Sequence, residues 1–346
     1  MTDFDPPLRL HLDGNALVSN WRFLQGQGGA ACGAAVKANG YGLGAREVVA
    51  RLRDAGCRDF FVAHWSEAAA IADLVPPEWI SVLNGIQPFD ISSIQQLGAV
   101  PVLNTPNQIA MWKASGGGAC HVMIDTGINR LGIGPEQIAN DLFDGLDIDI
   151  LLSHLASADA DSEQNGRQLA MFSQFAKEIP AKRRSFANSA GIMLGPDYHF
   201  DLTRPGIGLY GGVERAEMAT GISPVAHIAA RVLQVRHLNA GDAVGYGATY
   251  ICEEPTIIAT ASMGYADGYL RSFAGRGVVY ADDVALPVIG RVSMDLITIN
   301  ASAGSSLSEG DWVSLPFDLP ELSAQSGLSQ YELLTTLGQR SDRIWS

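Results

Sequence analysis

A lysine closes a short apolar run in "AAVKANGYGLGA" (residues 34–45), and Asn39, Gly40, Tyr41, Gly42 and Gly44 follow it at once. Lysine is rarely buried without a reason. A partly buried ammonium loses proton affinity, which makes Lys37 a candidate nucleophile for a Schiff base. Other chemistry-bearing residues also stand just after short apolar runs. "DTGINRLG" (125–132) carries Arg130, "SHLASAD" (153–159) carries His154, and "NSAG" (188–191) carries Ser189. "RPGIGLYG" (204–211) surrounds the eighth such run, with Arg204 ahead of it and Gly206 and Ile207 within it. The Ser189 hydroxyl and the backbone N–H groups of Gly206 and Ile207, near helix starts, read as a phosphate cradle. A phosphate cradle beside a Schiff-base lysine is the pattern of pyridoxal phosphate (PLP), whose ring is an electron sink for a carbanion at the Cα of an amino acid.

The elements that must position these residues are legible as an alternation. Eight short apolar runs lie at 30–36, 59–63, 79–83, 100–104, 120–124, 147–153, 184–188 and 206–211. They read as strands buried on both faces. Between them lie helical stretches. "SEAAAIADL" (66–74) opens on Ser with Glu behind it, and "TPNQIAMWKAS" (105–115) has Pro after a Thr cap. "EQNGRQLAMFSQFAKEI" (163–179) lines up Leu169, Phe172, Phe175, Ala176 and Ile179 on one face. Eight alternations predict a (β/α)₈ barrel, with an open doubly wound sheet as the runner-up on pattern alone. In a barrel the active site lies at the C-terminal strand ends, which gathers Lys37, Arg130, His154, Ser189 and Arg204 on one rim. After about Pro224 the texture becomes alternating apolar and polar, broken by Gly and Asp-Asp turns, which predicts a mostly antiparallel β domain. The expected division is a PLP-binding barrel over 1–225 and a β-rich domain over 226–346, with the first ten or so residues able to pair with the latter.

Composition narrows the function. The chain has 346 residues and a net charge of −14, so nucleic acid is an unfavourable partner. Cys32, Cys57, Cys120 and Cys252 form no CxxC pair and no metal spacing with His, and they read as reduced apolar residues. The N-terminus lacks the basic and apolar regions of a signal peptide, and no apolar run approaches ~18 residues. A cytoplasmic enzyme acting on a small molecule, without a metal, is the expectation.

"AVKANGYGLG" is similar to the PLP-attachment motif of alanine racemases. The resemblance extends in order through "LDGNALVSNWRFL", "IDTGINRLGI", "SHLASAD", "NSAG", "RPGIGLYG", "VGYGATY", "MGYADGYLR" and "GRVSMD". It implies a PLP-dependent racemase that interconverts L- and D-alanine, supplying D-alanine for cell-wall peptidoglycan. It also implies a head-to-tail homodimer with shared sites. Lys37 would carry PLP and act as base on one face of the substrate, and Tyr246 of the partner subunit would act on the other. A tyrosine phenol ordinarily titrates near ~10, so a nearby cation must favour the phenolate. The resemblance supplies His154 hydrogen-bonded to Arg204 for this. It also sets the Arg204 guanidinium at the PLP ring nitrogen, where an arginine keeps its proton and weakens the sink. Transamination is thereby suppressed. Tyr41, Ser189, Gly206 and Ile207 would hold the phosphate. Arg130 would contact the phenolic oxygen and the substrate carboxylate, and the Met294 N–H would bind that carboxylate. Tyr265 would narrow the entrance, with Asp295 supporting that region.

Two positions depart from the family pattern. Many relatives carry a carbamylated lysine two residues before the Asp of "DTG"; here Met123 stands there, so Arg130 must be held by another group, such as an anion or a polar neighbour. Many also place a phosphate-binding tyrosine where a loose alignment puts Gln339. The rival readings are a racemase of serine or a basic amino acid, a decarboxylase of the same PLP barrel fold, and a non-catalytic PLP-binding protein.

Overall fold

The computed structural model describes residues 5–139, 141–303 and 306–346. Contacts divide the chain into two units. One comprises Leu17–Leu209 and Val213–Ser223; the other comprises the segment ending at Ala16, Tyr210–Gly212 and Pro224–Ser346.

The first unit is a closed parallel barrel. Its strands run, in spatial order, Ala34–Ala35, Phe60–Val62, Ile80–Val82, Val100–Leu103, Ala119–Met123, Asp147–Leu152, Arg183–Ser185, Leu202–Thr203 and Ala31–Cys32. The first and last of these are halves of one strand broken at Gly33, so eight strands close on themselves. At the break the Gly33 N–H donates to Thr203 O at 2.9 Å, while the Ala34 N–H donates to Asp59 O at 2.8 Å. The chain thus leaves one neighbour and joins the next. A Cβ at residue 33 would stand 2.8 Å from that Asp59 oxygen, so the switch needs glycine.

One strand differs from the expectation. Residues 206–211 are apolar, yet Ile207–Tyr210 is a 3₁₀ turn, and the eighth strand is Leu202–Thr203. Pro205 offers no N–H to a ladder, and the turn closes when the Leu209 N–H donates to Gly206 O at 2.9 Å. Arg204 therefore follows the eighth strand rather than preceding it, which puts it at a C-terminal strand end.

The surrounding helices follow their start signals. Thr105 Oγ1 accepts from the Gln108 N–H at 3.1 Å, with Pro106 at the first helical position of Pro106–Ala114. Glu163–Glu178 is capped by Ser162 and buries Phe172 and Phe175; Phe172 stacks on Phe186 at 5.0 Å. Full burial of such a ring is worth about 2–3 kcal/mol. The same helix also buries Asn165 and Gln168, which its apolar pattern did not announce. The stretch expected over 66–74 is the helix Trp65–Ile71, with His64 rather than Ser66 at the cap position.

The second unit is an antiparallel sheet around one long strand, Ala226–Leu238. Its first half pairs with Leu8–Leu12 and Trp312–Pro316, and its second half pairs with Thr256–Ala261. The register slips between Val232 and Gln234, a bulge that passes the strand from one partner set to the other. Leu8–Leu12 also pairs in parallel with Asp342–Trp345. Buried and half-buried residues alternate along Leu8–Leu12 and the first half of Ala226–Leu238, as a one-sided sheet requires.

Candidate active site

Lys37 is half-buried at the end of the first strand, and the chain behind it coils the wrong way. Ala38, Asn39, Gly40, Tyr41 and Gly42 all have positive φ, at 52°, 56°, 64°, 53° and 89°. This is a turn of left-handed helix, which costs roughly 1–2 kcal/mol for each residue with a Cβ. It is held by the Gly40 N–H donating to Val36 O at 2.8 Å, the Gly42 N–H to Ala38 O at 2.9 Å, and the Ala45 N–H to Asn39 Oδ1 at 3.0 Å. Burial lowers the proton affinity of the Lys37 amine; Arg130 lowers it further, and Glu67 opposes both.

The left-handed turn delivers Tyr41 to the segment after the eighth strand. A Cβ on Gly206 would lie 2.2 Å from the Tyr41 hydroxyl oxygen, so only glycine admits that ring. Ser189 begins the short helix Ser189–Ile192, whose cap residue Asn188 accepts from the Gly191 N–H at 2.8 Å. The Ser189 hydroxyl oxygen accepts from the N–H groups of Gly206 at 2.9 Å and Gly208 at 3.1 Å, leaving its own proton to donate. Ser189, Tyr41 and Gly206 thus occupy one locus, with Ile207 next along the chain. The Gly206 N–H is already engaged by Ser189, so in this cradle it supports the hydroxyl first.

Arg204 is buried. It donates to Ser185 Oγ at 2.5 Å and to the Ser153 carbonyl at 2.6 Å. Among the described residues no carboxylate lies within ion-pairing distance of it. Burial without a counter-charge lowers its pKa to about 10, still far above neutrality. The expected hydrogen bond between His154 and Arg204 is not among those of the described residues. Two of its N–H groups are taken by Ser185 and Ser153, and His154 feels the guanidinium through space. Burial, then Arg204, Arg130 and Lys37, push His154 down to about 3, so its imidazole is neutral in ordinary conditions. Lys37, Arg130, His154 and Arg204 therefore share one electropositive patch.

Arg130 is set by its backbone. Asp125 Oδ1 accepts from the N–H groups of Gly127, Ile128 and Asn129, and Oδ2 accepts from that of Arg130 at 3.0 Å. The departing residue, Met123, is a buried member of the preceding strand. Gln168 ties this loop to the next one. Its amide donates to Thr126 Oγ1 at 3.2 Å and to His154 O at 3.0 Å, and its oxygen accepts from the Ala156 N–H at 2.9 Å. Sequence reading passed over Gln168; a glutamine amid the apolar positions of a helix was the available signal.

The remaining candidates belong to the β unit. Tyr246 lies in a 3₁₀ turn between Gly245 and Gly247, both at positive φ, and is 71% exposed. Met294 is 53% exposed. Its carbonyl accepts from the Ala266 N–H at 3.0 Å, and the Tyr265 N–H donates to Ser293 O at 3.0 Å, so the two segments are zipped together. Arg340 clamps the zip by bridging Asp267 at 2.9 Å and Asp295 at 2.6 Å. Asp295 thus supports this edge through Arg340, a residue sequence reading did not single out. Gln339 is Arg340's neighbour in the chain.

These features fit PLP in three ways. The Gly206–Tyr41–Ser189 locus is a cradle that a Cβ would fill, the buried Arg204 has no carboxylate partner, and Lys37 has a weakened hold on its proton. Barrel, lysine and cradle together define a PLP-binding barrel followed by a β domain. Residues 12–214 match the family model "Alanine racemase, N-terminal domain", and residues 225–345 match "Alanine racemase, C-terminal domain". A catabolic alanine racemase of Agrobacterium fabrum is 42% identical over 354 residues, spanning 97% of this chain and 91% of that protein. The biosynthetic alanine racemase of the same organism is 38% identical over 366 residues, 97% of this chain and 93% of that one. Among solved structures, the alanine racemase of Bartonella henselae with covalently bound pyridoxal phosphate superposes with a TM-score of 0.93 at 35% identity, covering 99% of this chain and 100% of that one. The chain belongs to the alanine racemase family.

Proposed function

We propose that the chain interconverts L- and D-alanine, with PLP as its cofactor and Lys37 as its attachment point. The observation that carries this reading is the barrel rim. A lysine on a strained left-handed turn, a hydroxyl cradle at Ser189 and a buried Arg204 without a carboxylate meet there, in a chain of this family. When bound, PLP supplies the electron sink that acidifies the Cα proton of an amino acid. The protein's part is to move that proton between faces and to keep it from going elsewhere. Lys37 Nζ exchanges it on one face and Tyr246 Oη on the other. A racemase needs two such groups because one base bound to one side returns the proton where it came from.

With PLP bound, Arg204 would hold the ring nitrogen by donating to it. Its pKa near 10 would keep it from surrendering a proton there, which would weaken the sink and favour proton return to Cα. The neutral His154 and the positive field of Arg204 favour a phenolate beside them. Tyr41, Ser189, Gly206 and Ile207 take the phosphate, and Arg130 and the Met294 N–H take the substrate carboxylate. Tyr265 limits side-chain size. We further propose a homodimer in which Tyr246 reaches the lysine of the other subunit; its exposure and that of Met294 support this reading. The supply of D-alanine to peptidoglycan and a cytoplasmic location complete the proposal, the latter supported by free thiols at Cys32, Cys57, Cys120 and Cys252.

The test is direct. The purified chain is expected to be yellow, borohydride is expected to fix the chromophore to Lys37, and L-alanine is expected to yield D-alanine. Lys37→Ala should lose both properties, by at least roughly 10³-fold in rate. A colourless wild-type chain, or a coloured one that leaves L-alanine unchanged or releases CO₂ from it, overturns the reading.

A further inference from the structure

We infer that Glu67 is a positioning residue for Lys37: its carboxylate ties the left-handed turn to the neighbouring strand end and sets a negative charge on the amide next to Lys37. The inference deepens the functional reading and rests on it for Lys37's role.

The geometry is specific. Glu67 Oε1 accepts from the Ala38 N–H at 2.6 Å, the amide next to Lys37. Its Oε2 accepts from the N–H groups of Ala63 at 2.7 Å and His64 at 3.2 Å. One carboxylate therefore joins the ends of two adjacent barrel strands, Ala34–Ala35 through Ala38 and Phe60–Val62 through Ala63. Capping its own helix Trp65–Ile71 accounts for the second oxygen only. The first oxygen reaches across 29 residues of sequence to the first residue of the left-handed turn. A left-handed residue carrying a Cβ persists where its surroundings over-determine it. Ala38 has no side-chain bond of its own to do this, and Glu67 provides it.

The electrostatics agree. Arg130 and Lys37 are cations, and His154, which feels both, is neutral. Among the groups acting on the Lys37 amine, Glu67 alone opposes burial and Arg130. A carboxylate here does two separable things. It fixes where the turn begins, and it sets how readily the amine gives up its proton.

The two effects are separated with the full-length chain freed of cofactor. The rate at which a small acylating reagent labels Lys37 is followed against pH, with the site read by mass spectrometry. Glu67→Gln, which removes the charge, is expected to move the midpoint of that profile down by roughly one pH unit. Glu67→Asp, which keeps the charge but falls one methylene short, is expected to leave the midpoint near that of wild type. It should still speed amide hydrogen exchange across residues 38–42 by about tenfold or more. A purely helix-capping Glu67 would lower thermal stability in each variant and leave the midpoint unmoved. A wild-type midpoint in Glu67→Gln, or unchanged exchange at 38–42 in Glu67→Asp, overturns the inference. Labelling does not need PLP, so a chain that failed to bind PLP would sink the functional reading while this result still stood.

Discussion

The barrel rim and the Tyr265–Met294 edge of the β unit secure their functional groups by opposite means. At the rim Arg204 is buried and bonded to Ser185 Oγ and the Ser153 carbonyl, Ser189 is fixed by two backbone N–H groups, and Arg130's loop is wrapped around Asp125. At the edge two loop segments are zipped by backbone bonds and clamped by Arg340, whose side chain is 51% exposed, against the buried Asp267 and the 56% exposed Asp295. Exposed ion pairs contribute only about 0–1 kcal/mol each, whereas leaving a buried polar partner unsatisfied costs about 1–3 kcal/mol. The rim is thus preorganised within its own unit, and the Asp295 half of the edge clamp is tied more loosely. A cofactor that must be held in one pose suits the first; a surface that meets a substrate or a second subunit suits the second.

The largest expected effect tests whether the two regions form one site. Tyr246→Phe removes the proposed second proton-transfer group and is expected to cost roughly 10²–10⁴-fold in rate, unequally for the two enantiomers in isotope-exchange assays. It should leave the chromophore intact, because Tyr246 belongs to the edge unit. Mixing inactive Lys37→Ala and Tyr246→Phe chains under subunit-exchange conditions should then restore about a quarter of wild-type activity, since in the proposed dimer each heterodimer would carry one intact shared site. Failure of the mixture to regain any activity, with exchange verified, would show that each chain works alone.

Arg204 sharpens the contrast from the rim. A buried guanidinium without a carboxylate is costly to keep, so an apolar replacement of similar length relieves a charge while stranding the Ser153 carbonyl. Arg204→Met is expected to change melting temperature by only a few degrees while lowering racemisation roughly 10²-fold and raising transamination, seen as pyridoxamine phosphate formation. A variant that loses its fold but keeps full activity per folded molecule would show that Arg204 is structural.

Acid should distinguish the two regions more gently. His121 in the barrel interior accepts from the Ile150 N–H at its Nδ1, so its Nε2 carries the proton toward Ser81 Oγ. Burial, aided by Arg183 and Arg204, holds it down to about 3 against an ordinary 6.5. Between these values the unfolded chain binds a proton that the folded one refuses. Its contribution is therefore complete above about 6.5 and declines as pH falls toward about 3. In the β unit His227, partly buried beside His11, shifts in the same direction. Amide protection is expected to fall further in the barrel strands than in the β strands from about pH 7 to about pH 5. Equal losses would mean the buried imidazole does not govern the barrel's acid response.

What could be read beforehand follows the same division. The alternation of apolar runs and capped helices exposed the barrel because burial on both faces leaves a mark on most of its strands. The mark failed at the eighth strand, where two residues, Leu202 and Thr203, suffice and a longer apolar run next door turns instead. The polar rim residues stood out because they border apolar runs; the Lys37 and cradle chemistry was readable from residue type, and the roles of Arg130, His154 and Arg204 came from family resemblance. The distant partners of Glu67, Gln168 and Arg340 were hidden for a physical reason. Each acts on groups far away in sequence, Glu67 on Ala38, Gln168 on Thr126 and Arg340 on Asp267, and no local pattern encodes such a meeting. The left-handed turn was hidden likewise, since Ala38 and Tyr41 are ordinary residues whose positive φ is imposed by the bonds around them.

The smallest expected effect concerns Met123. A carbamate forms on an unprotonated amine, and a thioether offers none, so no bicarbonate-derived group can brace Arg130 from this strand. The loop has its own brace in Asp125, whose two oxygens take four backbone N–H groups from Gly127 through Arg130. Activity is therefore expected to stay within about twofold when bicarbonate is removed or added, since no step in transition-state binding depends on it. Met123→Lys places an amine at a site only 7% exposed, where burial disfavours the ammonium and favours the neutral form that reacts with CO₂. That variant should acquire a bicarbonate dependence that wild type lacks. A wild-type rate that climbs with bicarbonate would mean that another amine braces the rim, and that Asp125 alone does not hold Arg130 in place.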